Sequence, residues 1–330
     1  MVTGGLGFIG SNFLRLVLRE HADCEVVNFD AMTYAANPAN CADFENDARY
    51  RFIHGDICDA SAVAAAIAGV DAVVNFAAET HVDRSILAPE AFLRTDVLGT
   101  HVLLEAVRAN GVAKMVQVST DEVYGDIEKG ESFEDDPVRP RSPYSASKAG
   151  GDLQVQAYYT TYGVPVTITR GSNTYGPYQF PEKLIPLFVT NLIDDRPVPL
   201  YGDGGQIRDW LHVEDHARAI LHVLEHGSVG EVYNVGGGNA RTNLEITEKI
   251  LAACGKSART HVKMVSDRLG HDRRYAVNCD KLKALGWEPA VPFERGLAET
   301  IVWYQTNESW WRPLRSGKFE EYYEQQYAKR

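Results

Sequence analysis

The stretch Gly4-Gly5-Leu6-Gly7-Phe8-Ile9-Gly10 decides how the rest of the chain is read. Glycines spaced G-x-x-G-x-x-G allow a tight strand-to-helix turn. They also let the backbone approach a pyrophosphate held at a helix N-terminus. Alone the pattern is weak, because Gly-rich turns are common, and its surroundings must strengthen it. A strand-like run, Glu25-Val26-Val27-Asn28-Phe29, follows and ends in Asp30, twenty positions beyond Gly10. A carboxylate there can accept both ribose hydroxyls of NAD and repels a 2′-phosphate. No Arg follows Asp30 within three residues, so NAD is expected rather than NADP. The plainer alternative for Asp30 is a turn-former closing the strand. Only Met1-Val2-Thr3 precede the first glycine, whereas a strand usually needs about five residues. Either the first strand is unusually short or the sequence is trimmed ahead of it.

Working outward, short apolar runs at residues 50–53, 72–76, 115–118 and 166–169 alternate with helical patterns such as 12–20 and 99–110. That alternation predicts an α/β fold with a doubly wound parallel sheet of the Rossmann kind. Continuous apolar strands suit a sheet covered on both faces. Asp56-Ile57 follows the next strand, where an adenine ring would pass. Phe76-Ala77-Ala78 follows the fourth, and its small side chains let a dinucleotide cross the sheet edge, although plain sheet packing explains Ala77 and Ala78 as well. After Arg170 the texture turns to Gly, Pro, Tyr and Asn. Glu231-Val232-Tyr233-Asn234-Val235 then reads as one more strand returning to the sheet. The expected division is a cofactor domain over 1–170, with a returning segment near 209–235. A smaller, interleaved substrate domain takes 171–208 and 236–330.

The chain has 330 residues, Lys plus Arg 33 against Asp plus Glu 45, and a net charge of -12. An acidic chain lacks the basic footprint of a nucleic-acid or anionic-membrane binder. An anionic ligand therefore needs a few local cations. Hydrophobic residues at 45% and charged residues at 24% are ordinary for a globular protein. No run approaches the ~18 apolar residues of a membrane span, and no basic, apolar signal sequence opens the chain. The five cysteines, Cys24, Cys41, Cys58, Cys254 and Cys279, form no Cys-x-x-Cys pair. They are expected as reduced thiols in a cytoplasmic protein, with no metal site.

Two further groups carry chemistry. Tyr144-Ser145-Ala146-Ser147-Lys148 puts Tyr and Lys on one helical face at i and i+4. A free Tyr has a pKa of about 10 and is a poor base at neutral pH; a nearby ammonium and the nicotinamide's positive charge favour the phenolate. Tyr144 can then take a proton from a sugar hydroxyl as hydride leaves the same carbon. A surface Tyr/Lys pair is the bland alternative, and the Rossmann half ahead of it argues against that. Ser119-Thr120-Asp121-Glu122 follows the run 115–118, at a strand end where doubly wound sheets bind ligands. Adjacent carboxylates there are costly unless used: one protonated and one ionised would give a general acid beside a general base. A solvated acidic turn is the competing reading.

With those residues in hand, the chain resembles the extended short-chain dehydrogenase/reductases, and among them the dTDP-glucose 4,6-dehydratases. The likeness runs over residues 4–10, 77–85 (AAETHVDRS), 119–125 (STDEVYG), 142–148 (SPYSASK), 175–186 (YGPYQFPEKLIP), 208–216 (RDWLHVEDH) and 270–275 (GHDRRY). The triplet Thr120-Asp121-Glu122 and the run PEKLIP are far more specific than Tyr-x-x-x-Lys. The resemblance implies an NAD-dependent lyase of deoxysugar biosynthesis that makes the 4-keto-6-deoxy sugar without net oxidation. Tyr144 would remove the O4 proton, with Thr120 bonded to O4. Lys148 would lower the Tyr144 pKa and hold the nicotinamide ribose. Glu122 would take the C5 proton and Asp121 would protonate the leaving C6 hydroxyl.

Cofactor contacts implied by the same resemblance are Gly4, Gly7, Phe8, Ile9, Gly10, Asp30, Ala31, Met32, Thr33, Asp56, Ile57, Phe76, Ala77, Ala78, Thr80, Thr95, Tyr144 and Lys148. Substrate contacts would come from Thr80, Thr120, Asn173, Lys183, Leu184, Pro199, Leu200, Tyr201, Arg208, Asn243, Asp267, Arg268 and His271. Arg208 and Arg268 suit a pyrophosphate, and Tyr201 a stacked pyrimidine. The chain departs from the family's usual residues at Thr80 (Ser), Asp96 and Thr174 (Asn) and Leu269 (Pro). A homodimer is implied, with 99–110 and 149–162 as candidate pairing helices. The nearest rivals are a nucleotide-sugar 4-epimerase or decarboxylase, or a dehydratase for another nucleoside diphosphate sugar. An epimerase needs no acid–base pair at C5 and C6. A non-catalytic NAD-sensing scaffold need not retain Tyr144 with Lys148.

Overall fold

The computed structural model describes residues 1–327. Its strands are β1 (Val2–Thr3), β2 (Val26–Asp30), β3 (Tyr50–His54), β4 (Ala72–Asn75), β5 (Lys114–Thr120), β6 (Val166–Gly171), β7 (Asn173–Tyr175), β8 (Val198–Tyr201), β9 (Ile207–His212), β10 (Val232–Val235), β11 (Ala240–Thr242) and β12 (Val262–Val265). Seven form one sheet in the order β10-β6-β5-β4-β1-β2-β3. Every pairing in it is parallel. The first strand is indeed only two residues long, yet it pairs with both β2 and β4. The order reverses between β1 and β4, and ligands of such sheets bind at that switch point, outside the strands' carboxyl ends.

Alternation along the strands explains the layers. Val73 and Met115 face a core with Phe29, Leu103 and Ile168, whereas their neighbours Val74 and Val116 face one with Phe13, Leu14 and Ile220. Side chains of period two thus feed two apolar faces, each covered by helices. Helix Phe8–Glu20 packs on one face beside helix Val213–His226, and helices Thr100–Asn110 and Pro143–Tyr162 pack on the other.

A third core gathers Tyr175, Phe188, Trp210, Ile246, Leu297, Tyr304, Trp311 and Phe319. Around it lie two small sheets, β11-β9-β7 and β12-β8. The run at 231–235 returns as β10, beside β6 in the main sheet. Helix Lys318–Tyr327, among the last described residues, buries Phe319, Tyr322 and Tyr327. No helix among the described residues is long and apolar enough to cross a membrane. All five cysteines are free.

Candidate active site

The glycine turn is built by close approach. A Cβ on Gly10 would lie 2.4 Å from the Gly4 carbonyl oxygen, and Gly4 itself has φ +68° with Ala77 backbone 2.7 Å from its would-be Cβ. The helix that follows starts at Gly7 with no side-chain cap. Its first N–H groups therefore lack a side-chain acceptor and present a positive end to the cleft. Asp30, at the end of β2, is buried; its Oδ2 accepts from Leu6 N–H at 2.9 Å and its Oδ1 from Met32 N–H at 2.8 Å. Each oxygen keeps a second lone pair for a hydroxyl. Burial raises its pKa, and those two backbone bonds pull it back.

These residues edge a cleft of about 410 Å³ at the switch point. Gly4, Gly7, Phe8, Ile9, Gly10, Asp30, Ala31, Thr33, Asp56, Ile57, Phe76, Ala77, Ala78, Thr80, Thr95, Tyr144 and Lys148 all line it. Met32 alone of the expected cofactor residues does not; it offers its N–H to Asp30 and leaves its side chain exposed. An uncapped helix end, a buried carboxylate with spare lone pairs and a floor of small residues fit a dinucleotide.

A second cavity of about 150 Å³ adjoins it. Asn173, Lys183, Leu184, Pro199, Leu200, Tyr201, Arg208, Asn243, Arg268 and His271 line it, together with Glu122. Asp267 stands outside: it accepts from Gln206 at 2.8 Å and pairs with His271 Nδ1 at 2.5 Å, and so holds the loop that carries Arg268. Arg208 is buried against the ring of Tyr275 and donates to the carbonyls of Ile207 and Asp272, neutral acceptors that fix its position and leave its charge bearing on Glu122. Lys183 and Glu182 face both cavities and mark the seam.

The catalytic candidates stand on either side of that seam, Tyr144 and Lys148 in the larger cleft and Glu122 in the smaller cavity. Ser142 caps helix Pro143–Tyr162 in a reciprocal box with Ser145, and Pro143 opens its first turn, which fixes Tyr144 there. Lys148, one turn on, is buried and donates to the Val118 carbonyl at 2.8 Å. Strand β5 ends at Thr120, and a single 3₁₀ turn holds Asp121–Tyr124. Thr120 Oγ1 accepts from Glu122 N–H and donates to Asp121 Oδ1, each at 3.3 Å. Thr120 and Asp121 are buried and line neither cavity.

The charges are graded. Asp121 is driven well above the usual carboxylate range by burial, then by Glu122 and Asp209. Its Oδ2 has no hydrogen-bond partner among the described residues. Glu122 is raised by burial but held down by Arg268, Arg208 and Lys183. Tyr144 is raised well above its ordinary value by burial, Glu122, Asp96 and Asp121, with hydrogen bonding to Thr120 opposing. Burial, with the neighbouring carboxylates, thus favours the protonated phenol, and added positive charge would favour the phenolate.

Sequence reasoning missed several groups. Glu182 is buried, pairs with Arg84 at 2.8 Å and accepts from Tyr34. Gln326 donates to Asp83 and to Tyr201, and Tyr327 walls the second cavity. The run PEKLIP contained Glu182, but nothing local signalled that residues 326 and 327 return to residues 83 and 201.

The model of the family described as GDP-mannose 4,6 dehydratase matches residues 1–300. A dTDP-glucose 4,6-dehydratase of Streptomyces griseus is 52% identical over 317 residues, covering 95% of this chain and 96% of the relative. Among solved structures, the dTDP-glucose 4,6-dehydratase DesIV of Streptomyces venezuelae, crystallised with NAD, is 52% identical and superposes with a TM-score of 0.93, covering 95% of this chain and 98% of that one. The dTDP-glucose 4,6-dehydratase of Bacillus anthracis, in complex with NAD, gives 48% and 0.89 over the same shares, 95% and 98%. By the match of the family model and of relatives along nearly its whole length, the chain belongs to the GDP-mannose 4,6 dehydratase family, among its dTDP-glucose 4,6-dehydratases.

Proposed function

We propose that this chain converts dTDP-glucose to dTDP-4-keto-6-deoxyglucose and water. NAD, when bound, supplies the acceptor and donor for the hydride that leaves C4 and ends on C6. The residues holding it are those of the larger cleft, with Asp30 on the ribose and the uncapped helix end on the pyrophosphate. The single observation that carries the reading is the unequal pair at the end of β5: Asp121, driven well above the usual carboxylate range, beside Glu122, whose rise on burial three cations oppose. Unlike environments for two neighbouring carboxyls assign one as acid and one as base.

Tyr144 takes the O4 proton, with Thr120 steering that oxygen. A ketone at C4 acidifies C5–H. Glu122 removes that proton while Asp121 gives its own to the departing O6, so water leaves. Glu122 then returns a proton to C5. Arg208, Arg268 and Lys183 supply the positive charge that an acidic protein otherwise lacks for a nucleoside diphosphate. Tyr201 offers a face to the base.

Incubation with dTDP-glucose in deuterated water tests this. The expected product carries one deuterium at C5, with no net NADH. Formation of dTDP-galactose overturns the reading in favour of epimerisation.

A homodimer is supported by exposed Leu93, Leu98, Leu153 and Tyr162 on the turn at 93–99 and the helix Pro143–Tyr162. Light scattering on the purified protein checks it. Five free thiols and dependence on NAD support the cytoplasm.

A further inference from the structure

Asp96 is a buried carboxylate that the mechanism above does not use. It sits in a π-helical turn, Leu93–Gly99, and such turns are rare and recur at functional sites. Its Oδ2 accepts from the Ser147 hydroxyl at 2.5 Å, and its Oδ1 accepts from Glu79 N–H at 3.1 Å. Ser147 is fully buried, lies between Tyr144 and Lys148 on their helix, and is also 2.8 Å from the Tyr144 carbonyl. The Asp96 carbonyl accepts from Thr100 and stands 2.7 Å from where a Cβ on Gly151 would be, so the turn and that helix are in direct contact. One side chain thus joins three pieces: the turn at 93–99, the segment after β4, and the helix that bears the catalytic pair.

The geometry points to Asp96 as a positioning residue for Tyr144 and Lys148, one that also sets the charge beneath them. Through Ser147 it fixes the rotation of their helix against the cofactor cleft. As an anion it faces the Lys148 ammonium and opposes formation of the Tyr144 phenolate. Other ionisable groups bear on it. Lys148 favours its ionised form and Glu79 disfavours it, while Tyr144 and Cys58 each feel its charge. Arg94 shares its turn. Burial comes first and lifts Asp96 from 3.8 to about 6. An amide would keep the bond from Glu79 N–H through its oxygen; its NH2 would donate to Ser147 Oγ, whose own proton can turn to the Tyr144 carbonyl, so the Ser147 contact survives with its direction reversed and the charge is lost.

This rests on the dehydratase reading, so conversion of dTDP-glucose by the unaltered protein is scored first. Its absence sinks that reading by itself. Asp96→Asn and Ser147→Ala are then compared in two assays. In thermal melts of the protein without substrate, folded Asp96 holds its proton to about pH 6 while the unfolded chain releases it near 3.8. Stability contributed by this group is therefore present below the lower value and lost as pH rises through the upper one. The Tm of the unaltered protein relative to Asp96→Asn should fall across that window; a flat difference overturns the proposal. In rate profiles, the limb at which Tyr144 loses its proton should move to lower pH by about half a unit or more in Asp96→Asn. Ser147→Ala should lower kcat severalfold and leave that limb in place. Superimposable limbs for Asp96→Asn and the unaltered protein, or an equal displacement in Ser147→Ala, refute the role of the charge.

Discussion

Lys183 Nζ donates to the Thr80 hydroxyl at 3.1 Å, and the bond lies on the seam where the two cavities meet. Thr80 lines the cofactor cleft and Lys183 lines both, so one hydrogen bond ties the two sites together. Burial lowers the Lys183 pKa, while Glu182 and Glu122 hold its charge in place. Lys183→Met should raise KM for dTDP-glucose about 10- to 100-fold, the value of one charge-assisted hydrogen bond. Initial rates against substrate at saturating NAD measure it, and an unchanged KM rejects the assignment.

Glu122→Gln removes the proposed base but keeps the size and polarity of the side chain. Oxidation at C4 should continue, seen as transient NADH absorbance in a single turnover. Wash-in of solvent deuterium at C5 should drop by about 10²- to 10⁴-fold, the usual worth of a positioned base. Exchange at the original rate removes Glu122 from that role.

Asp121→Asn separates acid from base. Deuterium should still enter at C5, whereas release of water should slow by about 10²- to 10⁴-fold. Because burial and Glu122 push Asp121 well above the usual carboxylate range, it stays protonated at pH values where a free Asp is ionised. Product formation should therefore fall at alkaline pH as that proton is lost, with the rate of C5 exchange spared. Loss of both signals at one pH would contradict the split.

How much of this was legible in the sequence depends on reach. The glycine turn, Asp30 and the Tyr144/Lys148 pair are local patterns of fixed spacing, and each stands where its spacing puts it. Periodicity marked β2 to β6 within a residue or two of their ends; β2, β4, β5 and β6 are buried on both faces and read as largely apolar runs, whereas β3, at the sheet edge, is partly exposed along its length. The partnerships of residues 83, 201 and 326 left no such mark. They join positions more than a hundred residues apart, and nothing within a window of a dozen residues encodes them. The turn at 93–99 was equally hidden: its residues suit an ordinary helix, and only packing against the helix Pro143–Tyr162 gives reason for its wider winding.

Beneath the site, Arg170 on β6 pairs with Asp152 at 2.9 Å, both almost wholly buried, and the Arg170 guanidinium lies over the Tyr124 ring at 4.8 Å. Asp152→Ala would strand a buried cation. Urea denaturation should show about 3–5 kcal/mol of lost stability. A loss under about 1 kcal/mol would mean that water reaches the pair.

Tyr327 walls the smaller cavity, its ring 6.0 Å from that of Tyr201. Tyr327→Ala should weaken binding of the nucleotide half and leave hydride chemistry intact, raising KM roughly tenfold with little change in kcat, as expected for a lost aromatic contact.

The return of β10 to the outer side of β6 has a mechanical consequence. A polypeptide that leaves the large sheet, builds part of a neighbour and comes back is stitched twice through the same boundary. Cutting it once at Ser172, the single residue between β6 and β7, would leave the later piece still paired into the large sheet through β10. Stitching of this kind ties the small sheets beside the smaller cavity to the large sheet that bears the larger cleft.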